Sequence, residues 1–105
     1  MDRAEFDLTV QSSLTNTLRS LGEDSLASVL SLLGKGTNLA EDSLVPRLVE
    51  VDAILDELFA KFSKIIKHIT ILEACSQLKL EPPKLGNSLF WMVEELRSNL
   101  WKARA

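Results

Sequence analysis

The chain has 105 residues, 46% of them hydrophobic, with only four glycines and three prolines, which suits one modest core and excludes a disordered or loop-rich β chain. A formal charge of −3 and a pI near 5.1 give no electrostatic footprint for nucleic acid or an anionic membrane. Cys75 is the only cysteine, so no intrachain disulfide is expected, and a reducing, intracellular setting follows, cytoplasm ahead of nucleus. Asp2, Arg3, Glu5 and Asp7 stand where a signal peptide needs an apolar run, and no stretch reaches the roughly 18 apolar residues of a membrane span.

The first helix is predicted over about 3–21, with Phe6, Val10, Leu14, Leu18 and Leu21 recurring every three or four residues and Gly22 fitting its end. Between Asp7 and Arg19 the segment LTVQSSLTNTL carries no charge, and this neutral surface can pack on another chain or stand as a lightly polar solvent face. A second helix is expected over about 25–33, capped by Asp24 or Ser25 and stopped by Gly34. The tetrapeptide EDSL then recurs 18 residues further on, which reads as a second helix start.

The third helix is expected to run without a break over about 43–80. Leu44, Leu48, Val51, Leu55, Leu58, Phe62, Ile65, Ile69 and Leu72 alternate steps of four and three residues, an apolar seam sustained for four heptads. Pro46 falls in the first turn, where it breaks no helical hydrogen bond. Such a helix would be about 55 Å long, so the molecule is expected to be elongated. Val45, Phe59 and Ile66 on one flank and Ile54 and Cys75 on the other widen the stripe towards a bundle of three or more helices. On this register Leu58→Asp should be disruptive, whereas Ser63→Asp, on the outer face, should do little.

Pro82 and Pro83 end that helix, and Asn87 or Ser88 can cap a last one over about 88–103, where Leu89, Val93, Leu96 and Leu100 keep heptad spacing. Leu89, Phe90, Trp91, Met92 and Val93 are consecutive and cover every helix face. Leu89, Phe90, Trp91 and Met92, with Trp101, are therefore candidates for docking a partner, completion of the chain's own bundle being the competing reading.

Asp42-Ser43-Leu44 resembles the attachment motif of acyl-carrier proteins, and the resemblance implies a phosphopantetheine arm on Ser43. It covers three residues. The preceding NLAE lacks the glycine usual in that family, and Pro46 and Arg47 occupy the outer face, so helix capping by Asp42 or Ser43 is the preferred reading and the carrier the alternative. His68, the only histidine, has Lys64, Ile65, Ile71 and Leu72 at helical spacing, which makes no metal-ligand set. Cys75 lies about 10 Å from it along a helix, too far for a catalytic dyad, and reads as a small buried hydrophobe.

Lys61, Lys64 and Lys67 follow the acidic row Glu50, Asp52, Asp56 and Glu57. Two copies paired antiparallel about Phe59 and Ala60 would set acid beside base, unless both rows are simply solvated.

The expectation is thus a single all-α domain over 1–105, an elongated helical bundle or coiled coil with one long central helix flanked by two N-terminal helices and one C-terminal helix. It resembles in architecture the small coiled-coil subunits of cytoskeletal-adaptor, kinetochore and vesicle-tethering assemblies. A non-catalytic scaffold or adaptor is implied. Its partners would be other helical chains, in a hetero-complex or an antiparallel homo-oligomer, with no nucleic acid, membrane span, small-molecule substrate, metal or cofactor.

Overall fold

Helix α1 (Arg3–Leu21) starts where the Asp2 carboxylate accepts the Glu5 N–H at 2.8 Å, satisfying one of the amides that a helix start leaves free. In this computed structural model, which describes residues 2–35, 37 and 39–104 and side chains as far as Leu100, four further α-helices follow. They are α2 (Glu23–Leu33), α3 (Leu48–Phe59), α4 (Ser63–Leu78) and α5 (Leu89–Arg104), and no strand occurs among the described residues.

Gly22 links α1 to α2 with a φ of 138°, a conformation open to glycine, and α2 begins so soon after it that Asp24 and Ser25 lie inside its first turn. The expected side-chain cap is therefore not made. Gly34 ends α2 for a different reason. A Cβ there would lie 1.9 Å from the Thr37 carbonyl oxygen, so the close approach of the following turn requires its absence.

Beyond this loop, Asp42 and Ser43 fall in a single 3-10 turn (Glu41–Ser43) without capping it, and Pro46 lies in a second (Val45–Arg47). Both turns are held down by buried Leu44 and Val45, and the Arg19 guanidinium of α1 pairs with Glu41.

The long helix expected over 43–80 is interrupted. Helix α3 ends at Phe59, and Ala60 adopts φ 48° and ψ −119°, a conformation that costs a non-glycine residue about 1–3 kcal/mol. One 3-10 turn (Ala60–Phe62) then leads into α4, and the chain turns back on itself. In a straight helix Asp52 and Lys67 would stand about 22 Å apart. Here Lys67 Nζ lies 3.2 Å from Asp52 and 2.8 Å from Asp56.

The break also changes which face is buried. Leu48, Val51 and Leu55 point into the core, but after Ala60 the buried residues are Ser63, Ile66, Lys67, Thr70, Ile71, Ala74 and Cys75. Several of these are small, and they meet the neutral face of α1, where Ser13, Thr15 and Thr17 are buried. Small side chains let two helices approach closely. Their hydroxyls are largely satisfied within their own helices, Thr17 donating to the Ser13 carbonyl and Thr70 to that of Ile66, each at 2.8 Å. Part of the uncharged surface of α1 is thus covered by the chain's own α4, while Leu8, Ser12 and Asn16 stay exposed.

Lys79, at φ 56° and ψ 44°, closes α4 in the left-handed conformation, with the Leu80 N–H bonded to the Cys75 carbonyl at 3.0 Å. After the proline linker, α5 lays Leu89, Met92, Val93, Leu96 and Leu100 into the core against α3 and α4. Each such side chain contributes about 1.5–3 kcal/mol of burial. The result measures 42 × 26 × 21 Å with a radius of gyration of 13.2 Å, close to the ~13 Å of a compact 100-residue globule. The expected elongated coiled coil is replaced by a compact helical bundle.

Candidate interaction surface

The heptad positions divide into two sets. Leu44, Leu48, Val51 and Leu55 are buried in the chain's own core, whereas Leu58, Phe62, Ile65, Ile69 and Leu72 are exposed. The last four recur at 3, 4 and 3 residues along one side of α4 and its entry turn, which stacks them into a single apolar row. Ile65, at 54% exposure, lies near its middle. The row is exposed because α4 turns its small residues inwards towards α1.

Beside this row runs a groove of about 340 Å³ between α1 and α4, lined by Leu21, Phe59, Phe62, Ile65, Ile66 and Ile69 and edged by Thr17, Ser20 and Ser25. Leu21 was expected to complete the buried stripe of α1; it is exposed at the groove's edge. Apolar walls with a hydroxyl rim match the usual anatomy of a protein-binding surface.

The C-terminal docking candidates separate in the same way. Leu89 and Met92 belong to the core, and Phe90 is half-buried with its ring packed edge-on to Trp91, centroids 6.2 Å apart. Trp91 itself is 71% exposed, beside Glu94, Glu95, Ser98 and Asn99. The side chain of Trp101 lies outside the described residues.

A polar cluster joins α3, α4 and the start of α5. Lys67, 1% exposed, donates to Asp56 Oδ1 and to the Asn87 carbonyl, both at 2.8 Å. Asp52 accepts the Ser88 hydroxyl at 2.9 Å and the N–H groups of Leu89 at 2.6 Å and Phe90 at 2.9 Å. Ser88 in turn accepts the Trp91 N–H at 3.1 Å, so it and Asp52 cap α5 together. Asp56 also accepts the Ser63 hydroxyl at 2.7 Å, and Lys67 first, then Ser63, hold its carboxyl below the usual carboxylate range.

The complementarity of the two charged rows was legible, and one part of it, Lys67 with Asp52 and Asp56, is satisfied inside one chain. Ser63, expected on the outer face, is buried, and Leu58, expected at the centre of the seam, lies at its exposed edge.

His68 Nε2 lies 2.8 Å from the Gly86 carbonyl, which can only accept, so this nitrogen carries the proton and the ring anchors the proline linker. Cys75 is buried, and that burial pushes its thiol pKa up, away from nucleophilic reactivity. Ser43 is half-buried in its 3-10 turn. No group of metal-binding side chains occurs among the described residues, and no helix among them is long and apolar enough to cross a membrane. Compared with family models, curated proteins and solved structures, the chain matches none.

Proposed function

We propose that this chain is a non-catalytic adaptor or scaffold subunit that assembles with other helical chains, using the apolar row of α4 and the groove beside it. The observation that carries the reading is the exposed set Phe62, Ile65, Ile69 and Leu72. Four large apolar side chains at i, i+3, i+7 and i+10 in one row offer an amphipathic partner helix a matching apolar seam. The charged groups Lys67, Asp52 and Asp56 are engaged in joining helices, which supports a structural role for them. Trp91 stands ready as a second anchor. An intracellular setting accords with one buried thiol, and cytoskeletal-adaptor, kinetochore and vesicle-tethering complexes are the kinds of assembly this architecture suits.

The test is to purify complexes from source cells on tagged wild-type chain and on an Ile65→Asp/Ile69→Asp variant. Both residues are exposed, so the variant should keep wild-type helicity. Chains held by the wild type and lost from the variant are then purified and recombined with it, and light scattering should give a complex of defined mass. Partners that bind both forms equally would remove the groove from the reading. Intact mass of the same cell-derived material, if increased by a phosphopantetheine arm on Ser43, would favour a carrier instead.

A further inference from the structure

The turn at Ala60 has features that a permanent hairpin does not need. The apolar spacing runs through it without a slip in phase, from Leu55 and Leu58 to Phe62 and Ile65, as one continuous helix requires. Its residues, LFAKF, include no glycine, proline or asparagine, and the strained φ of 48° falls on alanine, the best helix former. Straightening this segment would relieve the strain and add helical hydrogen bonds.

A single chain cannot straighten without a penalty. The contacts that close the hairpin lie on opposite sides of the turn, Asp52 with Lys67 and Asp56 with Ser63, placed symmetrically about the Phe59–Ala60 bond. Opening separates them and leaves the Lys67 ammonium without the carboxylates that surround it. A second opened copy, crossing the first antiparallel, restores every one of these pairs twice. The packing of α1 on α4, and of α3 on α5, is restored in the same way, each time between copies.

We propose that two copies of this chain exchange their C-terminal halves. The turn over 59–62 becomes part of one helix from Leu48 to Leu78, about 46 Å long, and Asp52 and Asp56 of each copy bind Lys67 of the other. Phe59, half-buried in the closed chain and on the same face of the continuous helix as Asp56 and Ser63, then meets its counterpart where the two long helices cross. This dimer goes beyond the adaptor reading and does not rest on it, since it uses the hinge and the polar cluster and not a foreign helix.

The experiment uses the full chain, refolded from denaturant at high and low concentration and sized by light scattering. Wild-type protein refolded at high concentration should contain a dimer that dissociates slowly on dilution. Ala60→Gly, which removes the strain of the closed turn and weakens the continuous helix, should reduce dimerisation at least about tenfold. Ile69→Asp, in the partner groove, should leave the dimer fraction unchanged, which separates this proposal from the adaptor reading.

A second test is independent of how well single variants fold. Asp56→Lys and Lys67→Glu each place like charges together in the closed chain, but an exchanged heterodimer of the two has a native pair on one side and a reversed pair on the other. Co-refolding them should give the heterodimer as the main species by native mass spectrometry. A mixture without heterodimer overturns the proposal, and so does a wild-type dimer fraction that Ala60→Gly leaves unchanged.

Discussion

Lys67→Met removes one charge from the centre of the polar cluster while nearly preserving its volume, and its effect can be worked out from the surroundings. Truncating one partner of a buried ion pair costs about 3–5 kcal/mol, mostly through the charge left behind. Two features reduce that here. Asp56 is 64% exposed in its side chain and can be resolvated, and Asp52 keeps the Ser88 hydroxyl and the two N–H groups at the start of α5. The Asn87 carbonyl also loses its donor, for about 1 kcal/mol. The expected loss is about 2–3 kcal/mol, a large share of the ~5–15 kcal/mol that holds a domain together. Urea unfolding followed by far-ultraviolet circular dichroism measures it as a lower midpoint at unchanged slope. Lys64→Met, at an exposed position on the same helix, is the control and should stay within about 0.5 kcal/mol of wild type. If the two variants unfold together, Lys67 is not buried between the helices and the description of the cluster is wrong.

Ser63→Asp should destabilise the chain by more than about 2 kcal/mol, because it buries a second carboxylate beside Asp56, whereas Leu58→Asp should cost less than about 1.5 kcal/mol; equal unfolding midpoints would contradict the face assignment of α4. Ala60→Gly should stabilise the closed monomer by about 1 kcal/mol, read from the same urea titration at low protein concentration. Because the folded pKa of Asp56 is lowered, its stabilisation is fully present above the ordinary carboxylate value of about 3.9 and is lost as pH falls through the lower folded value. Stability measured across that acid range should therefore fall less steeply in Asp56→Asn than in wild type, and parallel curves would refute the linkage. Ser88→Ala should cost about 1 kcal/mol through the lost cap of α5, measured by thermal unfolding.

Helical character was legible from residue spacing because apolar periodicity reports it directly: Phe6, Val10, Leu14 and Leu18 on α1 and Leu89, Val93, Leu96 and Leu100 on α5 are all buried. The break at Ala60 was not legible, since LFAKF contains none of the residues that normally end a helix. Nor was the buried face of α4. A hydrophobicity pattern ranks Ile65, Ile69 and Leu72 above Ser63, Thr70 and Ala74, but close packing against the small residues of α1 selects the second set. The caps went wrong where several polar residues compete. EDSL offers acidic and hydroxyl caps twice, and neither is used because Gly22 and the two 3-10 turns set the chain direction first. One signal for the polar cluster did exist, in acidic and basic rows mirrored about Phe59 and Ala60. Sequence alone could not say whether the mirror relates two chains or two halves of one.

The turn-back follows from how much surface this chain has to bury. A straight helix of about 55 Å would present nine seam residues along a length that the other helices are too few to cover. Turning at Ala60 brings the first four into a shared core with α1, α2 and α5 and closes the Asp52, Asp56 and Lys67 cluster, at the expense of one strained backbone conformation. It cannot bury the rest, because the face of α4 that fits α1 is not the seam face. Leu58, Phe62, Ile65, Ile69 and Leu72 are thus the part of the heptad pattern that a lone compact chain leaves exposed. A partner helix seated on α4 covers most of that row with the hairpin closed, whereas exchange between copies joins the row to Leu48, Val51 and Leu55 along one helix with the hairpin open. Ile69→Asp and Ala60→Gly act on these two states separately, so the pair of variants decides which of them the continuous pattern serves.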